Sequence, residues 1–158
     1  MGAADTKNQE KKIFIICPVR PPKTWFLKKW TKTQIAIRAY VEKLESEGYD
    51  VYWPLRDNPG QKTDKIGILI CEYNREKMFW ANEIHIWYDK NSVGSVFDIG
   101  MFFTFVRTNS FKKFVIINRK EIEPTPSKSF ENVVLNLAKE FNNPLADGLK
   151  ERWESRGK

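Results

Sequence analysis

Lys12-Ile13-Phe14-Ile15-Ile16-Cys17 is a short unbroken apolar run, stopped by Pro18. Apolar residues at both odd and even places suit a strand covered on both faces, as in a parallel sheet lying between helices. Outward from it the pattern alternates. A loop from Pro18 to Lys23 holds three prolines, and from Thr31 to Gly48 the spacing turns helical, with Ile37, Tyr40, Val41 and Leu44 on one face. Gly48 is placed to stop that helix. Tyr49 to Trp53 reads as a second strand closed by Pro54, and Leu55 to Thr63 as a loop rich in Asp, Asn, Pro and Gly. Asp64 is a credible N-cap for a helix to Ala81, with Ile66, Ile70 and Tyr73 in register and Asn74 a turn beyond Ile70. Glu83 to Tyr88 is a third strand, Gly94 to Arg107 a very apolar helix, Lys113 to Asn118 a fourth strand, and Ser127 to Phe141 a last amphipathic helix carrying Phe130, Val133, Val134, Leu137 and Phe141. Strands alternating with helices predict βαβ units and a parallel sheet. The expected fold is a single-domain, flavodoxin-like, doubly wound α/β sandwich with helices on both faces. The domain spans residues 12–142, between a polar tail 1–11 and a C-terminal tail 143–158.

The composition excludes several classes. At 158 residues, with 41% hydrophobic residues and 6 Trp, the chain has ample apolar area for one core. No apolar run reaches the roughly 18–20 residues that span a bilayer, and Met1 to Lys12 lacks the apolar stretch of a secretory signal, so the expected compartment is the cytoplasm. Cys17 and Cys71 each sit inside an apolar run without metal-ligand spacing, and there is one His, so neither a zinc site nor a disulfide framework is expected. The net charge of +7 invites nucleic acid, but the excess sits at the ends: 7 Lys/Arg against 2 acids over 1–30, 11 against 7 over 107–158, and 9 against 11 between them. Lys28-Lys29-Trp30 and Phe111-Lys112-Lys113-Phe114 interleave cations with aromatics, yet solvated lysines flanking core aromatics account for both. The charge points to anionic partners in general rather than to nucleic acid.

In a doubly wound sheet ligands bind outside the carboxyl ends of the strands. That selects the loops Pro18–Lys23, Pro54–Thr63, Asp89–Ser95 and Asn118–Pro126. The third runs from a strand into a helix, and a helix N-terminus presents unpaired N–H groups and partial positive charge to an anion. Ser92, Gly94 and Ser95 are small enough to let an oxygen approach. Asp98 is expected in the first helical turn, where Ser95-x-x-Asp98 also matches a capping box. Asp89 in Asp-Lys-Asn fits a turn role. In the second loop Trp53 could stack on a base or pack in the core. Arg56 and Asp57 could serve a phosphate and a base, or pair with each other on the surface.

Ala81-Asn82-Glu83-Ile84-His85-Ile86-Trp87-Tyr88-Asp89, followed by Ser92-x-Gly94-Ser95-x-Phe97-Asp98-Ile99-Gly100-Met101, resembles the nucleoside 2-deoxyribosyltransferase superfamily, which includes the nucleoside-5'-monophosphate N-glycosidases. The resemblance covers roughly residues 12–107. It implies cleavage or exchange of the N-glycosidic bond of a nucleoside or nucleotide, with no metal or organic cofactor and with assembly into a homodimer or larger homo-oligomer. It also implies that Asp98 holds the place of the catalytic carboxylate, usually Glu, and that Ser92 holds the place of a phosphate-binding Ser. Arg20, in Cys17-Pro18-Val19-Arg20, matches an Arg at the phosphate or sugar. Asn74 matches an Asp that holds or protonates the base, and an amide cannot protonate it; Asp57 and Asp64 are the nearest acids that could. Asp98 is one methylene shorter than Glu, about 1.5 Å of reach. Asp98 and Asn74 in place of the usual acids keep open a second reading, a non-catalytic nucleotide-binding module or sensor, beside a third that uses the basic ends on nucleic acid.

Overall fold

The computed structural model describes residues 11–19, 30–107 and 112–141. β1 (Lys12–Ile16), β2 (Asp50–Tyr52), β3 (Glu83–Ile86) and β4 (Lys113–Ile116) form one sheet in the order β2-β1-β3-β4, every pair parallel. Ile13, Phe14, Ile15 and Ile16 are all 0% exposed, as the unbroken run requires of a strand covered on both faces. The pleat divides them. Ile13, Ile15 and Cys17 join Ile37, Val41 and Leu44 of α1 (Lys32–Ser46) in one cluster. Phe14 and Ile16 join a second cluster, built with α4 (Ile68–Trp80), α5 (Val93–Arg107) and α6 (Phe130–Phe141). Helices therefore cover both faces, and the doubly wound α/β architecture stands. Among the described residues no helix is long and apolar enough to cross a membrane.

Local chemistry explains the helix limits. Thr31 and Gln34 form a reciprocal capping box at the start of α1, and Gly48 leaves the chain at φ +87°. Two expectations need correction upstream of the site. The loop expected over 55–63 instead holds two single helical turns, α2 (Pro54–Asp57) and α3 (Gly60–Thr63). The helix with Asp64 as its expected N-cap starts three residues late, at Ile68, because Asp64 accepts N–H bonds from Ile66 (3.0 Å) and Ile70 (3.1 Å) while Gly67 turns left-handed at φ +99° and becomes the N-cap. Ile66 thus falls outside the helix and is 86% exposed, and Tyr73 lies on the outer face; the buried positions of α4 are Asn74 and Met78. In α6, likewise, Phe130 and Val133 are exposed while Val134, Leu137 and Phe141 are buried. At the end of α4, Lys112, expected as a solvated lysine, is instead buried at 8% exposure, and from just before β4 its ammonium donates to the carbonyls of Phe79 and Ala81, capping the helix. The Phe-rich stretch of α5 is buried on one side only: Phe102 stacks on Phe114 at 4.6 Å and meets Phe141 edge-on, while Phe97 and Phe103 are exposed.

Candidate active site

β1 leads to β2 on one side and β3 lies on its other side, so the crevice where strand order reverses opens between β1 and β3. α5 leaves the end of β3 beside that crevice. Its entry is pinned by Asn118, which accepts from the Tyr88 N–H at 2.9 Å and donates to the Tyr88 carbonyl and to Glu121. Asp89 then forms a turn, accepting from the Asn91 N–H at 2.9 Å; this is the turn role its sequence suggests. Ser92 stands at the N-cap, its Oγ accepting from the Ser95 N–H at 3.3 Å and lying 2.8 Å from Ser95 Oγ.

Because α5 begins at Val93, Asp98 lies in its second turn and not its first, and the first turn carries no acid. The expected Ser95–Asp98 capping box does not form. Asp98 is therefore left with no local backbone duty, which removes the plainest structural explanation for a carboxylate there. Its side chain points inward, 8% exposed, to meet Asn74 on α4, which is 6% exposed. Asn74 Nδ2 lies 3.3 Å from Asp98 Oδ2 and 3.5 Å from Oδ1. Removing a carboxylate from water disfavours its charged form, and one amide donor opposes that only in part. The Asp98 carboxyl is accordingly pushed up to about 7 by burial, with Asn74 pulling it down. A carboxyl poised near neutrality can accept or release a proton, or act as a nucleophile once ionised.

The other residues singled out in the sequence divide. Ser92 and Gly94 lie at the open end of α5; a Cβ added at Gly94 would meet nothing within 4 Å, so the space above it is clear. Ser95 is buried at 1% exposure and acts through its contact with Ser92. Trp53 is 2% exposed, packed against Trp30 at 5.6 Å, so its rings belong to the core. Its indole N–H, beside Cys17, favours that thiolate, but burial outweighs it and pushes the thiol up to about 12. Arg56 pairs with Asp57 at 2.6 Å and Glu45 at 2.9 Å and donates to the Val51 carbonyl, tying α1 to the end of β2. Asp57 also accepts the Trp53 N–H at 2.8 Å. The surface ion pair is thus what forms, and neither Asp57 nor Asp64, which holds the turn before α4, is positioned by these bonds as a second acid at Asp98. Arg20 lies outside the described residues.

One member of the site had no signal in the sequence. Asn58, 3% exposed, donates from Nδ2 to Asn74 Oδ1 at 2.8 Å and to the Ile70 carbonyl at 3.0 Å, while its own Oδ1 accepts from the Gly60 N–H at 2.9 Å. Asn-Pro-Gly reads as turn chemistry, and only the fold brings that turn behind Asn74. Among the described residues there is no cluster of three or more His, Cys, Asp and Glu side chains able to hold a metal. No protein-family model, no curated protein and no solved structure matches this chain.

Proposed function

We propose that the protein cleaves or exchanges the N-glycosidic bond of a nucleoside, deoxynucleoside or nucleoside 5'-monophosphate, with Asp98 as the reacting carboxylate. The observation that carries this reading is a buried carboxyl, poised near neutrality and unused by its own helix, at the switch point of a doubly wound sheet. Breaking the bond between sugar and base builds positive charge on the anomeric carbon. The ionised Asp98 answers that charge and attacks the carbon, forming a glycosyl ester as the base departs with the bonding pair and takes a proton from water. Water then attacks the anomeric carbon and gives a proton to the hydroxide left by that step, releasing the sugar and restoring the carboxylate; a second base, losing its own N–H proton to the hydroxide, completes a transfer in its place. The N–H groups opening α5 after Ser92 suit a 5'-phosphate. Arg20, close in sequence to the end of β1, belongs to the same reading as a phosphate ligand. Asn74 serves Asp98 rather than the leaving base, since Oδ1 is taken by Asn58 and Nδ2 faces the carboxylate. No cofactor enters this chemistry.

The test is direct. Incubation with all common nucleosides and 5'-monophosphates, followed by chromatography, should release free base from at least one of them. Saturable binding without release would favour a nucleotide-binding module instead, a reading supported by amides rather than a second acid around Asp98. The same reading includes a homodimer. Leu69 and Tyr73 on α4, with Val93 and Phe97 on α5, are exposed on the two helices that carry the site, and a second copy would cover them. Sedimentation should show association rising with concentration, and a strict monomer at micromolar concentration would count against it. Cytoplasmic residence fits the two unbridged thiols.

A further inference from the structure

We propose that Asn58 is a positioning residue of the site: it holds the Asn74 amide in the one orientation that turns its NH2 end on Asp98. An amide side chain can present either end to a neighbour, and its carbonyl end would repel a carboxylate. Here the choice is made by backbone groups whose polarity is not negotiable. The Gly60 N–H can only donate, so it takes Asn58 Oδ1; the Ile70 carbonyl can only accept, so it takes Asn58 Nδ2. With Nδ2 also 2.8 Å from Asn74, the atom of Asn74 that faces it must be the acceptor Oδ1, and Nδ2 of Asn74 is left for Asp98. The chain Gly60 N–H, Asn58, Asn74, Asp98 is polarised in one direction from main chain to carboxylate. All three of its side chains are buried, at 3%, 6% and 8% exposure, so water is a poor substitute for any link.

A second observation supports the assignment. A Cβ at Gly60 would lie 3.0 Å from Asn58 Oδ1 and 2.9 Å from Ile70 Cγ1, so the absence of a side chain at 60 is what lets the backbone close on Asn58. Loss of this arrangement has a defined consequence. Asn58→Asp keeps the shape and the bond from Gly60 but gives up the donor to the Ile70 carbonyl and presents a second acceptor to Asn74. The Asn74 amide then turns its NH2 towards residue 58 and its carbonyl towards Asp98, and protonation of Asp98 becomes easier. Among the described residues, the other titratable side chains on which Asp98 acts are Cys17 at the end of β1, Tyr52 on β2 and Cys71 on α4. Burial holds Cys17 and Tyr52 near 12 and raises Cys71 above its ordinary 9.0, so none of the three changes charge between pH 5 and 8.

This inference rests on the reading of Asp98 as the reacting group only for its kinetic consequence, and its test separates the two. In the full-length protein labelled for NMR, the side-chain N–H signals of Asn74 should titrate with the Asp98 carboxyl carbon, with a common midpoint near 7. In Asn58→Asp that midpoint should rise by at least about one unit, a tenfold shift in proton affinity. If the wild type turns over, kcat at pH 7 in this variant should fall about fivefold and recover by pH 9, with KM nearly unchanged. Gly60→Ala should move the midpoint in the same direction by less. An Asn74 amide that ignores the Asp98 titration in the wild type, which needs no variant to fold, overturns the proposal. So does a folded Asn58→Asp protein whose Asp98 midpoint stays in place. A wild type without turnover would sink the glycosidase reading and leave this assignment to the NMR result.

Discussion

The two faces of the sheet each bury a chain of polar side chains, and the two chains end differently. Under α1, the Tyr40 hydroxyl lies 2.8 Å from His85 Nδ1, His85 Nε2 is 2.9 Å from Glu83, and Glu83 lies 3.4 Å from the Lys113 ammonium. A carboxylate only accepts, so His85 donates from Nε2, and Nδ1 accepts a hydrogen bond from the Tyr40 hydroxyl. This chain begins at Tyr40 on α1 and runs past the amino end of β3 to a half-exposed cation. On the other face, Asn58, Asn74 and Asp98 run inward and end on a carboxylate that no cation among the described residues pairs with. The outcomes are opposite. The bond from His85 and the nearby Lys113 hold Glu83 below its ordinary 4.5, while burial pushes Asp98 up to about 7. A buried carboxylate that meets a counter-charge stiffens the fold; one that meets only an amide is left chemically poised.

Breaking the inward chain at its end should have the largest effect. Asp98→Asn keeps the volume but cannot stabilise or trap a sugar cation, so turnover should fall by at least about two orders of magnitude in steady-state assays while ligand binding persists. Unchanged turnover in folded Asp98→Asn protein would remove Asp98 from the catalytic role. The same variant sharpens the contrast through stability. A carboxyl whose pKa is raised on folding stabilises fully below its unfolded value near 3.8, and that stability is lost as pH rises to about 7. Above pH 7 the wild type thus carries a penalty on the order of 2–4 kcal/mol that Asp98→Asn relieves. Urea melts at pH 5 and 8 should show the variant gaining relative to wild type at the higher pH.

Glu83→Gln should act the other way round. The folded pKa of Glu83 is depressed, so its contribution is present above about 4.5 and lost as pH falls through the folded value. The substitution should cost roughly 1–3 kcal/mol near pH 7 and much less in acid, with turnover unaltered. A loss of activity at constant stability would show that the two faces are coupled. The smallest effect belongs to the surface. Glu72 and Arg75 pair at 2.7 Å on α4, each more than half exposed, so Glu72→Gln should cost only a few tenths of a kcal/mol. A change above about 1 kcal/mol in thermal melts would mean that this surface is covered in the assembled protein.

Much of the frame was legible in the sequence, because it depends on periodicity. Ile13 to Ile16 had to be covered on both sides, and Thr31, Gly48 and the face Ile37-Val41-Leu44 announced α1 with its limits. The start of α4 was not legible, since Asp64 looks like an N-cap and becomes one for a turn; a left-handed Gly67 is decided by what the chain must reach next. That three-residue difference removes Ile66 from the helix, and with it the apolar register expected of α4.

The site shows the same division at finer grain. By itself the sequence determined that a strand end, a Ser/Gly turn and a helix carrying Asp98 follow one another, because these are neighbours in the chain and local chemistry governs them. Whether Asp98 caps its helix or faces inward turns on whether Ser92 or Ser95, three residues apart, stands at the N-cap of α5. That Asn74 meets Asp98 from 24 residues away, and Asn58 meets Asn74 from 16, follows from the packing of α4 against α5 and of the Asn58 turn against Ile70. The same holds for Trp53, Arg56 and Asp57, whose types suited a ligand as well as a core contact and an ion pair. Side-chain type limits what a residue can do, but burial and partners choose among those uses, and both are properties of the closed tertiary structure.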